Sequence, residues 1–164
     1  KLCKESIYTF KLIRRGINIS GGKEMNVLNS IQVKDVMHRT IETISEKLSL
    51  KEFAKMLPDI KSNNFVVVNE KNELSGILTF LDYYDKLFNG KLHDHMKVQE
   101  IMTQEVVTVK EDDNLGTAFE KITAGDYSIL PVVVADNRSK MAGILTRRDI
   151  LEAYDQAILK KAMG

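Results

Sequence analysis

Two short stretches carry residue types from which a ligand site could be built. One is Thr146-Arg147-Arg148-Asp149, directly after Gly143-Ile144-Leu145. The other is Thr79-Phe80-Leu81-Asp82, directly after Gly76-Ile77-Leu78. Each reads as the end of a buried strand, a Thr at its C-terminal edge, and a helix with Asp in its first turn. A strand end feeding a helix start is where α/β proteins bind phosphate-bearing ligands, because the first amide N–H groups of the helix point at the ligand. An ionised Asp can accept from two sugar hydroxyls, one on each oxygen. Thr146 can bond a sugar or a phosphate, and Arg147 and Arg148 supply positive charge. Tyr127 offers a face on which a base could stack.

The same residues admit a plainer role. Thr-x-x-Asp at a helix start is close to a capping box, with Thr as N-cap and an acid at the third helical position. Capping alone accounts for Thr79/Asp82 and for Thr146/Asp149. The two arginines are harder to dismiss. Cations at a helix N-terminus oppose the dipole, so a neighbouring acid or a bound anion is expected beside them.

Catalysis is not expected. No nucleophile–base pair, metal-ligand cluster or glycine-rich phosphate loop is visible. His93-Asp94-His95 alternates in a polar connection without further ligands close by, so it reads as solvated rather than metal-binding. His38 stands alone and gets the same reading.

The elements that position these residues occur twice. Val33-Lys34-Asp35-Val36-Met37 reads as a short helical turn that buries its apolar side chains. Thr40 to Ile44 is a weak strand. Ser49 with Glu52 three residues on is a capping-box signal, and Leu50, Phe53, Ala54 and Leu57 share one helix face. Pro58 ends that helix. Phe65–Val68 and Leu74–Leu78 form a hairpin around the turn 69–73, and Asp82–Phe88 is helical until Asn89-Gly90 stops it. The order then recurs. Val98-Gln99-Glu100-Ile101-Met102 matches the first opener, and Val106–Val109 is a short strand, better formed than its counterpart. Leu115, Ala118, Phe119 and Ile122 share a helix face. Ile129–Ala135 and Met141–Leu145 are hairpin strands around a turn at 136–140. A last helix runs from about Arg147 towards Lys161.

Met37 to Met102 and Leu50 to Leu115 are both 65 residues apart, and Gly76 to Gly143 is 67. Two residues have therefore been added near the second hairpin turn. Agreement in motif, helix face and spacing indicates an internal duplication. Each unit of roughly 55 residues, in β-α-β-β-α order, is too small to bury its surface well alone, so the two are expected to pack face to face.

Bulk composition sets the frame. The chain has 164 residues, 43% hydrophobic and 29% charged, so it can bury a core. A net charge of +1 argues against broad nucleic-acid binding. The single Cys3 excludes an internal disulfide and suits a cytosolic setting. The longest apolar run, 129–135, is far short of the roughly 20 residues of a membrane helix. Residues 1–31 are basic and carry Gly16, Gly21 and Gly22, which break any helix, so this stretch reads as a partly docked linker, either a solvated basic tail or a juxtamembrane segment. The start at Lys1 rather than Met predicts a piece of something longer.

The opener Val-x-Asp/Glu-Val/Ile-Met, the strand, helix and hairpin, and Gly-Ile-Leu-Thr-x-x-Asp together resemble the cystathionine-β-synthase-type (CBS) domain. Two tandem copies over roughly 33–155 resemble a CBS pair, or Bateman module. The resemblance implies an α/β (α+β) fold of two β-α-β-β-α repeats. It also implies a regulatory role without catalysis, no required cofactor, ATP, ADP or AMP as a regulatory ligand, and a homodimer. Because the Thr/Asp motif of one family repeat typically works with the early strand and hairpin of the other, it implies two clefts. One joins Thr146, Arg147, Arg148 and Asp149 to Thr43, Ile44 and Asn64. The other joins Thr79 and Asp82 to Thr108, Tyr127, Ser128 and Pro131. Phosphate charge favours the first cleft slightly.

Residues 6–16, Ser-Ile-Tyr-Thr-Phe-Lys-Leu-Ile-Arg-Arg-Gly, are similar to the segment joining the last membrane helix of prokaryotic-type CLC chloride channels and transporters to their CBS pair. This implies a linker at 1–31, a first repeat at 32–90 and a second at 91–164. It also implies a location at the cytoplasmic face of the membrane, with a transmembrane transport domain as partner. The alternatives are a purely structural dimerisation tail with empty clefts, or the CBS module of another transporter.

Overall fold

The computed structural model describes residues 22–59, 62–91, 93 and 95–163. The basic stretch before Gly22, Cys3 and Asp94 lie outside the described residues. The elements are α1 (Gly22–Asn29), β1 (Thr43–Ser45), α2 (Leu50–Met56), β2 (Asn64–Val68), β3 (Leu74–Thr79) and α3 (Phe80–Phe88), then β4 (Val109–Lys110), α4 (Leu115–Ala124), β5 (Ile129–Val134), β6 (Asn137–Thr146) and α5 (Arg147–Met163). This is the expected mixed α/β architecture, a doubled β-α-β-β-α unit.

Each repeat makes a three-stranded sheet, ordered β1-β2-β3 or β4-β5-β6. In both, the first pair is parallel and the second is an antiparallel hairpin. The middle strands are buried along almost their whole length, which explains the unbroken apolar runs Phe65–Val68 and Leu130–Val133. The sheets approach through their hairpin strands, where Glu73 and Lys140 form an isolated antiparallel bridge.

The first core contains Ile44, Leu50, Phe53, Phe65, Val67, Leu78 and Tyr83, and also Val98 and Ile101 from the second opener. The second contains Val109, Leu115, Phe119, Ile122, Leu130, Leu145 and Ile150, and also Val33 and Met37 from the first opener. The openers are therefore exchanged. Val33 and Lys34 donate their N–H groups to the carbonyls of Asp113 and Glu111, at 2.8 and 3.0 Å. Val98 and Gln99 do the same to Leu48 and Glu46, at 2.9 and 3.0 Å. Each short opener finds its partners, and its burial, on the other sheet.

Several boundaries differ from the sequence reading, each for a local reason. Gly22 does not break a helix but starts one. Near a helix N-terminus a glycine interrupts no established turn, and Val27 and Leu28 of α1 are buried, Leu28 in the second core. Pro58 ends α2 but sits in a further 3₁₀ turn, Leu57–Asp59, because proline's fixed φ is compatible with it. The strand expected at 106–109 is only Val109–Lys110, shorter than its counterpart β1. The Val106 N–H is taken locally by the Gln104 carbonyl at 3.0 Å. The second hairpin turn is 135–136 rather than 136–140. Asn137 pairs with Val134, and the two added residues are absorbed as register irregularities in the strands.

Candidate functional site

At the C-terminal end of β6, Thr146 caps α5. Its hydroxyl and its N–H both donate to Asp149 Oδ2, at 2.6 and 2.8 Å, and its hydroxyl accepts from the Asp149 N–H at 3.1 Å. Thr79 and Asp82 repeat this geometry at the start of α3, at 2.6, 2.9 and 3.2 Å. Both Thr/Asp pairs are capping boxes. Capping fixes one carboxylate oxygen in each and leaves the other to do something else.

The other oxygen distinguishes the repeats. Oδ1 of Asp149 lies 2.9 Å from His38 Nε2, across 111 residues of chain. The Asp149 side chain is 13% exposed and that of His38 is 58% exposed. Burial pushes the Asp149 carboxyl up. The Thr146 hydroxyl and amide, and the His38 ring, outweigh that and hold it below the ordinary carboxylate value. Among the described residues nothing meets Oδ1 of Asp82. The reading of His38 as a lone solvated histidine is thus corrected. Its backbone exchanges two hydrogen bonds with Ile144, both 2.9 Å, and this delivers the ring to Asp149. No spacing rule in the sequence could have found this partner, because the exchanged opener creates it.

The arginines find acids within the chain. Arg147 donates to Asp126 Oδ1 at 2.7 Å and to the carbonyls of Tyr127 and Ile122 at 3.0 and 3.4 Å. It braces the loop between α4 and β5. Arg148 is paired with Glu152 at 2.6 Å, one helical turn on, and is 85% exposed.

The remaining candidates gather around their own sheets. Ile129 pairs with Thr146, and the Arg147 N–H donates to the Ser128 carbonyl at 3.1 Å, so Tyr127 and Ser128 flank the second motif. Tyr127 is exposed, and its ring lies over Gly125, where a Cβ would fall 2.0 Å from it. Asn64 pairs with Thr79 in the first sheet. Thr43 pairs with Val66 beside buried Ile44. The Thr108 carbonyl accepts from Lys121 Nζ at 2.9 Å, and Pro131 is buried in β5 opposite Ile144. The contacts that draw the motif residues together thus run mainly within one repeat. The opener residue His38 is what reaches the second motif from the other.

This arrangement agrees with what the chain is similar to. A family model described as the CBS domain matches it twice, at residues 33–89 and 98–156. An uncharacterized protein of Methanopyrus kandleri is 33% identical over 139 residues, 83% of this chain and 70% of that protein. A homoserine O-acetyltransferase of Methanohalobium evestigatum is 32% identical over 131 residues, 80% of this chain, but the chain spans only 26% of that relative's length. Among solved structures, the CBS domain pair of protein MJ0100, in complex with 5′-methylthioadenosine and S-adenosyl-L-methionine, superposes with a TM-score of 0.64 at 30% identity. That match covers 76% of this chain and 96% of the other. CBSX2 in complex with AMP gives a TM-score of 0.67 at 25% identity, over 77% and 97%. The two model matches fall on the two repeats, and the chain belongs to the CBS-domain family as a tandem pair.

Proposed function

We propose that this chain is a regulatory module, without catalysis of its own, that senses an adenosine-bearing ligand. The observation that carries this reading is the carboxylate at each strand-to-helix junction. Each is held in place by a Thr, lies beside helix N–H groups, and can receive ribose hydroxyls. Tyr127 and Ser128 would flank the base or phosphate at one junction, with Pro131 and Thr108 behind them. Asn64, Thr43 and Ile44 would line the other. The solved relatives bound to 5′-methylthioadenosine, S-adenosyl-L-methionine and AMP support the ligand class, since adenosine is common to all three. Regulation requires that ligand bind one arrangement of the pair more tightly than another.

Titration calorimetry with AMP, ADP, ATP and S-adenosylmethionine tests the proposal on the wild type and on Asp149→Ala and Asp82→Ala. Binding that is lost in either variant supports it. A folded chain that binds none of the four refutes it.

One observation favours a second reading, an assembly tail with empty clefts: Thr146, Arg147, Arg148 and Asp149 all have partners within the chain. The same titration separates the two. Pairing into a homodimer belongs to either reading, and the exposed apolar face of α3 is its proposed surface.

Attachment to a CLC-type transport domain is a separate proposal, supported by the resemblance of residues 6–16 and of Glu24 to Leu28. No helix among the described residues is long and apolar enough to cross a membrane. The coding region ahead of Lys1 tests it, since an upstream segment without membrane helices would sink it.

A further inference from the structure

We infer that His38 sets the two half-sites apart, by occupying the Asp149 carboxylate oxygen that a ribose would need while the matching oxygen of Asp82 stays open. This rests on the adenosine-binding reading above and adds an order of filling to it.

His38 is bonded through its backbone to Ile144, and Ile144 precedes Asp149 by five residues. Thr103 is bonded through its backbone to Ile77, and Ile77 precedes Asp82 by five. His38 and Thr103 are 65 residues apart, the offset of the openers. The two residues therefore stand at the same place beside their carboxylates. The imidazole spans the gap to Oδ1 of Asp149 at 2.9 Å. The shorter Thr103 side chain makes no hydrogen bond to Asp82 among the described residues.

The His38 ring is more than half exposed, so it can swing away without opening a core. It is a displaceable latch, and a ligand reaching Asp149 must first break that contact. Asp82 demands no such step, so the Asp82 half-site fills first. This reverses the order suggested by the arginines, both of which are engaged with acids of their own repeat.

The test is titration of the 164-residue chain with AMP and with 5′-methylthioadenosine in backgrounds that isolate each half-site. In an Asp82→Ala background, where Asp149 alone is available, His38→Thr should tighten binding about threefold to tenfold, the worth of one partly exposed hydrogen bond. In an Asp149→Ala background, Thr103→His should weaken binding by a similar factor. Melting temperatures of all variants verify that each is folded. If His38→Thr leaves affinity unchanged or weakens it while the chain still binds, the latch is refuted and the adenosine reading survives. If the wild type binds but the Asp82→Ala chain with His38→Thr does not, the freed Asp149 is no ribose site and the latch is refuted; if the wild type itself binds neither probe, both are refuted.

Discussion

Thr103 and Ile77 exchange a reciprocal pair of backbone hydrogen bonds, 2.8 and 2.9 Å long, that stitches the second opener to the first sheet. His38 and Ile144 do the same in the other direction. The repeats are therefore not two beads joined by a linker. Val33 belongs to the first repeat by sequence and to the second core by packing. Val33→Ala should cost about 2 kcal/mol, because a fully buried side chain leaves a cavity. Hydrogen exchange locates the effect. Protection should fall first in α4 and β5 rather than in β2 and β3, and loss confined to the first sheet would contradict the exchanged packing.

Gly143 and Gly76 are required by the same stitch. A Cβ at Gly143 would lie 2.6 Å from the His38 carbonyl oxygen, and one at Gly76 would lie 2.8 Å from that of Thr103. Backbone is the obstacle in both cases, so it cannot rotate aside. Gly143→Ala should destabilise the chain by about 1–3 kcal/mol, the usual cost of overpacking. Because it pushes on His38, it should also disturb the contact with Asp149. Urea unfolding of Gly143→Ala beside Ala142→Gly measures the first effect. A Gly143→Ala chain as stable as wild type would mean the openers do not sit this close.

Much of this was legible in the sequence. The 65-residue offset exposed the duplication, and the Ser49/Glu52 and Thr/Asp spacings marked three helix starts that the structure caps as expected. Local patterns are readable because they depend on neighbours three or four residues away. What escaped depends on distant neighbours. Nothing local tells that Val33 and Val98 trade cores, or that His38 meets Asp149. Helix α1 escaped for another reason. Glycines argued against it, and burial of Val27 and Leu28 overrode that propensity. An acid or a bound anion was the expectation beside the arginines; Asp126, whose backbone is left-handed (φ 50°) after Gly125, and Glu152 are the acids that meet them.

Helix α3 presents an apolar surface with no cover among the described residues. Leu81 is 77% exposed and Phe88 79%, and Tyr84 stacks on Phe88 with ring centroids 5.5 Å apart. Leu81, Tyr84 and Phe88 lie at i, i+3 and i+7, one stripe of the helix. The opposite face holds Tyr83 in the first core, so the stripe is not needed for folding. Leu81→Glu with Phe88→Glu should leave the melting temperature within a few degrees and convert a dimer to a monomer in sedimentation or light scattering. A wild type that is monomeric, or a double variant that remains dimeric, would refute α3 as the pairing surface.

Asp149 should make the stability of the chain sensitive to acid. Its folded-state pKa is depressed, so its contribution is fully present above the unfolded carboxylate value of about 4 and is lost as pH falls through the folded value. Thr146 and His38 favour the ionised form, and burial opposes them. Asp149→Asn keeps the shape but donates where a carboxylate accepts, so it should remove about 1 kcal/mol at neutral pH, the worth of a helix cap. It should remove much less below the folded pKa, where the wild-type carboxyl is already protonated. The stability difference between wild type and Asp149→Asn, followed by urea unfolding from pH 7 down to pH 3, should therefore shrink as the pH falls. In a His38→Thr background the neutral-pH difference should be smaller, since one of the groups favouring the charge is gone. A difference that stays constant with pH would show that the variant acts through packing, and that the Asp149 charge is not what Thr146 and His38 hold.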